Sequence, residues 1–100
     1  MTLDFFQASF AEATPPVGLG AVLLALWYDG KGDWQEAHEI AQAADTPDHC
    51  QLHAYLHRKE GDAGNARYWY NRARQPMPAV SLREEWKNLV ERHLLKESRR

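Results

Sequence analysis

The sequence predicts an all-α domain of about five helices, and three features of the chain indicate this fold class. Apolar side chains recur at spacings of three and four residues, which is the period of an amphipathic helix. No stretch shows the sustained alternation of apolar and polar residues that is typical of a strand. Short glycine, proline and aspartate signals separate the helical segments. With 100 residues, of which 44% are hydrophobic, the chain has the size and core content of one domain over residues 1–100.

Two helices are predicted before the first glycine turn. The first covers residues 3–13 and ends at Pro15 and Pro16, because the residue before a proline is disfavoured in the helical conformation. The second covers residues 19–29 and is apolar on nearly all sides, so we expect neighbouring helices to cover most of its surface. It should therefore be the central helix of the domain.

Aspartate residues mark the starts of three further helices. Asp33 and Asp62 each follow a glycine, and an aspartate side chain is suited to cap the N-terminus of a helix. Asp48 follows a proline turn and is a third candidate cap. The helices predicted from these caps cover residues 34–44, 49–60 and 63–74. Two antiparallel helical hairpins result, over residues 19–44 and residues 48–74.

A C-terminal amphipathic helix is predicted over residues 81–96. Ser81 and Glu84 have the spacing of a capping box, in which two side chains satisfy free N–H groups of the first turn. Apolar residues then recur three and four positions apart, at Leu82, Trp86, Leu89, Val90 and Leu94. This helix should bury one face and leave the other in solvent.

The two hairpins are related by an internal repeat. Residues 25–44 align with residues 54–73 after a shift of 29 positions. The identical positions hold small or turn residues, which two helices need in order to pack closely across a tight turn. They are Ala25/Ala54, Gly32/Gly61, Asp33/Asp62, Ala37/Ala66 and Ala44/Ala73.

At these residues the chain resembles the tetratricopeptide-repeat (TPR) family. The segments GDWQEAHEIAQAA and GDAGNARYWYNRA are similar to that repeat's second helix, although Ala41 stands where the family has an aromatic residue. The resemblance covers roughly residues 19–78 and implies stacked helical hairpins that bind other proteins. It further implies that the helices at residues 3–13 and 81–96 cap the two ends of the stack.

The resemblance also implies a partner groove, since the first helices of TPR hairpins line one. Leucine, valine, glutamine and tyrosine stand where carboxylate-binding members carry basic and asparagine residues. We therefore expect a protein or peptide partner that presents an apolar helix or an extended segment. The predicted groove residues are Leu19, Val22, Leu26, Gln51, Tyr55, Arg58 and Lys59. The alternative function is a structural one, in which the C-terminal helix or the groove of one copy covers another copy in a homodimer.

A row of histidines raises a third function, metal binding. His49, His53 and His57 stand four residues apart on one predicted helix, so their side chains share a face and are candidate ligands for one ion. The alternative is that His53 and His57 are half-buried packing residues that face the helix at residues 63–74. We favour packing, because the chain lacks the HExxH and CxxC patterns that supply further ligands. No cofactor or native metal is expected.

Several function classes are excluded by composition and motifs. The chain has no nucleophile elbow, phosphate-binding loop or dinucleotide fingerprint, so we expect no enzymatic activity. A net charge of −2 argues against a nucleic-acid partner, and the aromatic and basic residues 67–74 are more typical of helix packing. The apolar run 17–28 is too short to cross a membrane. A single cysteine, Cys50, and a start without basic residues indicate a cytoplasmic protein.

Overall fold

A computed structural model describes residues 1–99, and this part of the chain contains six α-helices and no strand. The all-α prediction is therefore confirmed, and one α-helix overlaps each of the six predicted ranges, one more than the approximate total of five. A single 3₁₀ turn, Ser9–Ala11, follows the first helix. The helices are α1 (Leu3–Ala8), α2 (Ala21–Gly30), α3 (Trp34–Gln42), α4 (Pro47–Lys59), α5 (Ala63–Ala73) and α6 (Leu82–Ser98).

The helices are arranged as two hairpins with α6 across them. Helix α2 packs against α3, and α4 packs against α5, so each predicted hairpin is a unit of the fold. Helices α3 and α4 join the two units. The main packing partners of α6 are α2 and α4, the first helices of the two hairpins, while α1 lies against α6. The C-terminal helix thus lies across the two hairpins. The sequence had predicted that this helix covers one end of the stack.

Side-chain caps explain most of the helix boundaries. The carboxylates of Asp33 and Asp62 accept hydrogen bonds from the backbone N–H groups of the third residues that follow them, and α3 and α5 begin there as predicted. The hydroxyl of Ser81 accepts the corresponding bond at 3.1 Å and fixes the start of α6. Each cap satisfies an N–H group that has no partner within its helix.

Helix α4 begins earlier than the sequence predicted. Its cap is Thr46, whose Oγ1 accepts the backbone N–H of His49 at 3.1 Å, and Pro47 occupies the first helical position. Proline is favoured there because its fixed φ suits a helix and its missing N–H would have had no partner. The predicted cap, Asp48, lies inside the helix and pairs with Lys96 of α6.

Helix α1 is shorter than the predicted range 3–13. Ser9 ends it, because its buried hydroxyl donates a 2.6 Å bond to the carbonyl of Phe6 and diverts the chain into the 3₁₀ turn. The same hydroxyl accepts the indole N–H of Trp27 at 2.9 Å. Ser9, which lies inside the predicted range of the first helix, therefore joins the N-terminal segment to α2.

The core lies between α2, α4 and α6. Its fully buried large side chains are Leu23, Leu26, Trp27, Leu52, Leu56 and Val90, together with Phe6 of α1. Tyr70 is also fully buried, in a smaller cluster with Ala54 and Ala66 between α4 and α5. Alanines at helix crossings have no exposed surface, which lets the backbones approach each other closely. They include the repeat residues Ala25, Ala37, Ala54 and Ala66.

Alanine substitutions at Gly61 and Gly64, near the turn between α4 and α5, should change the stability of the chain in opposite directions. Gly61 has a φ of +88°, a conformation that a side chain disfavours, so Gly61→Ala should lower the free energy of unfolding by about 1 kcal/mol. Gly64 lies in α5, and an added Cβ would meet no atom closer than 4.0 Å. Gly64→Ala should therefore raise stability, by up to about 1 kcal/mol. Urea denaturation measures both changes, and a loss of stability in both variants would contradict the assignment.

Candidate functional site

The face formed by α2 and α4 is occupied by α6, with Trp86 at the centre of the contact. The Trp86 ring lies 6.0 Å from both Phe6 and Phe10, measured between centroids. Its indole N–H donates a 3.0 Å hydrogen bond to the carbonyl oxygen of Leu26 on α2. Leu89, one turn further along α6, is also buried. An apolar stripe of α6 therefore fills the space between the first helices of the two hairpins.

A buried polar group lies beside this contact, on the N-terminal side of α6. Asp29 of α2 is 3% exposed and accepts two hydrogen bonds, from the hydroxyl of Tyr55 at 2.7 Å and from the ammonium group of Lys59 at 2.8 Å. Burial and the charge of Asp29 raise the pKa of Tyr55 well above its usual value. Tyr55 thus remains a protonated donor, and the three residues join α2 to α4.

A second buried polar group joins α6 to both helices of the second hairpin. Glu85 of α6 is 4% exposed, and its carboxylate accepts Arg58 Nη1 of α4 at 2.7 Å and the hydroxyl of Tyr70 of α5. Arg58 also donates to the carbonyl of Val80, just before α6. Burial, together with the Glu85 contact, raises the pKa of Tyr70 above its usual range. A buried ion pair of this kind allows only one register of α6, because any shift would leave Glu85 unpaired.

The C-terminal half of α6 is held by more exposed contacts. Lys96 pairs with Asp48 at 2.8 Å, and the two side chains are 51% and 37% exposed. The carboxylate of Glu97 accepts the backbone N–H of Gly20 at 3.1 Å, just before α2 begins. Exposed ion pairs contribute about 0–1 kcal/mol each. The specificity of the contact therefore comes from Glu85 and Trp86.

The predicted groove face is covered by α6 in this structure. Val22, Leu26 and Tyr55 are no more than 7% exposed, because α6 lies over them. Leu19 and Gln51 are half-buried at the edge of the contact, and Arg58 and Lys59 are engaged by Glu85 and Asp29 as described above. The predicted residues do lie on one face, but that face is filled by a helix of the same chain.

His93 of α6 is buried in the same interface and should make folding sensitive to acid. Burial lowers its pKa to about 4; Arg92, Lys96 and His49 also lower it, and Asp48 opposes them. The unfolded chain, with a histidine pKa near 6.5, therefore binds a proton that the folded chain does not between pH 6.5 and about 4. The contribution of His93 to stability is complete above pH 6.5 and declines as the pH falls through this window.

We expect this decline to amount to about 1–3 kcal/mol of the free energy of unfolding between pH 7 and pH 4.5. Urea denaturation of the wild type and of His93→Gln in the same buffers measures it as a difference, since the variant lacks the imidazole of His93 and keeps the other four histidines. An identical loss of stability in both proteins would show that His93 is not responsible.

Of the three histidines that the sequence offered as alternative metal ligands, His53 and His57 lie in one cluster and His49 does not. His49 faces its own helix cap, with Nδ1 2.7 Å from Thr46 Oγ1. The third member of the cluster is His38 of α3, which sequence reasoning did not include. One ring nitrogen each of His38, His53 and His57 can be chosen so that all three lie within 4.8 Å of one another. The only signal for His38 was its place on the face of α3 that turns toward α4.

Comparison with known proteins does not identify a family for this chain. No family model, no curated protein and no solved structure matches the chain. Among residues 1–99, no helix combines the length and the apolar character that crossing a membrane requires.

Proposed function

We propose that this chain is a small TPR-like protein–protein interaction module that binds an amphipathic helix on its α2 and α4 face. The observation that carries the proposal is the helix already bound there, α6. It crosses the first helices of both hairpins, and TPR hairpins hold their ligands on the same helices. The contacts that α6 makes on this face support a specific chemistry for a partner helix.

The contacts of α6 define that chemistry. A partner helix needs a tryptophan whose N–H reaches the carbonyl of Leu26, and apolar residues three and four positions later, as at Leu89 and Val90. It also needs a carboxylate directly before the tryptophan to pair with Arg58. Anchors of this spacing are typical of helices that bind in grooves. The partner is therefore a protein with an exposed amphipathic helix of the pattern Glu-Trp-x-x-Leu-Val.

The connection before α6 contains no helix and joins α6 to the hairpins as a tether. Helix α5 ends at Arg74, which adopts a left-handed conformation, and residues 75–81 form no helix. Pro76 and Pro78 in this connection have no N–H to donate to a neighbouring element. The tethered α6 acts as a competitor at an effective concentration on the order of millimolar. A partner helix must displace the tethered α6 in order to bind. In the absence of a partner, α6 occupies the face.

Binding of a separate α6 peptide tests the proposal. A fluorescently labelled peptide of residues 81–99 should bind the full chain saturably, as followed by anisotropy, with an apparent dissociation constant on the order of the millimolar effective concentration of the tethered helix. The matched control is the same peptide with Trp86→Ala and Leu89→Ala, which should not bind. Equal behaviour of the two peptides, or no binding of either, would contradict a helix-binding face. Exchange of α6 between two copies would instead give a mass near 23 kDa in light scattering, twice the 11.5 kDa of one chain.

A further inference from the structure

Three imidazoles lie together on the side of the molecule where α3 meets α4. His38 comes from α3, and His53 and His57 are one turn apart on α4. The Nε2 atoms of His38 and His53 are 3.1 Å apart. Two nitrogens bound to a tetrahedral zinc ion at about 2.0–2.1 Å lie about 3.3–3.4 Å from each other. The two nitrogens share a hydrogen bond in this structure, and an ion in place of its proton would require them to separate by only about 0.2–0.3 Å.

The third imidazole is oriented toward the same role. His57 lies with its ring centroid 4.9 Å from that of His53 and 5.3 Å from that of His38. Its Nδ1 faces Glu60 Oε1 at 3.3 Å, which leaves Nε2 as the free nitrogen. A carboxylate on the far nitrogen is the usual partner of a metal-binding histidine, because it fixes the ring and makes it more basic. His57 is half-buried at the surface, so a rotation of its side chain can bring the ring to the ion.

Two indoles hold the other imidazoles in place. The His38 ring stacks on Trp34 with centroids 4.8 Å apart and an interplanar angle of 11°. The His53 ring stacks on Trp69 of α5 at 4.1 Å and 17°. Each of these two rings is therefore held in position by an aromatic neighbour outside the group of three imidazoles.

We infer that His38, His53 and His57 form a binding site for one divalent transition-metal ion of the zinc class. Three imidazole nitrogens without a thiolate suit Zn²⁺ and its neighbours in the first transition row, and do not suit Ca²⁺ or Mg²⁺, which require oxygen ligands. Glu60 and Asp62 lie with His57 in a second group of ligand atoms within 4.8 Å, separate from the group of three imidazoles. Water would complete the coordination of the ion.

The site joins the two hairpins, and this gives metal binding a structural consequence. His38 belongs to the first hairpin, while His53 and His57 belong to the second, and the ion would bind both across the α3 and α4 contact. This contact lies apart from the face that α6 covers, so the inference is independent of the helix-binding proposal. A bound ion stabilises the folded chain by mass action, because the unfolded chain does not assemble the three ligands.

Zinc titration of the untagged chain tests the site. Calorimetry should give one ion per chain, and a 100-fold excess of zinc over the dissociation constant should raise the Tm by roughly 10 °C. Cobalt bound in place of zinc should show the visible absorption of a tetrahedral nitrogen site. Absence of saturable binding in the wild type would overturn the inference.

Matched variants on the same helices identify the ligands. His38→Gln and His57→Gln should each weaken zinc binding about 100-fold or more, and Glu60→Gln about 10-fold. His49→Gln is the control, since His49 is on α4 one turn before His53 but outside the cluster; it should bind zinc as the wild type does. If circular dichroism shows that His38→Gln does not fold, zinc binding by His57→Gln tests the assignment instead, because His57 is half-buried. Equal losses in the His49 and His57 variants would place the ion elsewhere and overturn the assignment.

Discussion

Replacing Trp86 with alanine should destabilise the chain by about 3–5 kcal/mol, because the substitution empties the centre of the contact between α6 and the hairpins. The Trp86 side chain is 8% exposed and packs on Phe6 and Phe10, and its N–H is the donor to Leu26. Trp86→Phe keeps most of the volume and loses only that hydrogen bond, so its cost should be about 1 kcal/mol. Urea denaturation followed by circular dichroism measures both values.

An exposed residue on the same helix is the control for this prediction. Leu95 of α6 is 54% exposed, and Leu95→Ala should change the free energy of unfolding by less than about 0.5 kcal/mol. A chain with Trp86→Ala should also bind the separate α6 peptide more tightly than the wild type does, because its own helix competes less strongly. A Trp86→Ala variant as stable as Leu95→Ala would contradict the docking of α6 described above.

Removing Arg58 should produce the second large effect. Arg58→Met would leave the Glu85 carboxylate buried with only the hydroxyl of Tyr70 as a partner, and we expect a loss of about 3 kcal/mol. Glu85→Gln keeps the shape and removes the charge, so its cost should be smaller. Denaturation at pH 7 gives both free energies.

The double variant distinguishes the contribution of the Arg58–Glu85 ion pair from the cost of leaving one charge buried without a partner. In Arg58→Met combined with Glu85→Leu, no charge remains buried, and the chain should recover most of the stability that Arg58→Met alone loses. An exposed pair, Arg72 with Asp45, is the matched control: Arg72→Met should cost less than about 1 kcal/mol. Additive losses in the double variant would show that Arg58 and Glu85 do not act as a pair.

Local signals in the sequence were sufficient to predict most helices. Asp33, Asp62 and Ser81 cap helices where their positions indicated, because a cap depends on residues within one turn of the chain. The start of α4 differed because Thr46 and Asp48 are both good caps, and the proline between them favours the earlier one. Ser9 could not be recognised as a helix end, since its role depends on Trp27 of another helix.

The candidate sites required contacts that no local pattern encodes. The sequence showed that α6 has an apolar stripe, but not which surface that stripe would cover. Glu85 and Arg58 are 27 residues apart, and each is unremarkable alone. The histidine spacing on α4 was visible, whereas His38 reaches the cluster only because α3 packs on α4. The packing of one helix on another depends on many contacts between residues that are distant in sequence. A local sequence pattern therefore does not predict it.

The most direct test of the central claim, that the α2 and α4 face is a helix-binding site held by α6, is to lock α6 in place. Cysteines at positions 48 and 96 replace an exposed ion pair, in a background with Cys50→Ala, and a short bismaleimide can join them. The labelled α6 peptide is then titrated into linked and unlinked monomer. We expect binding to the unlinked chain and at least about tenfold weaker binding to the linked chain, since the tethered helix can no longer leave. Equal binding to both forms, or none to either, would contradict the claim.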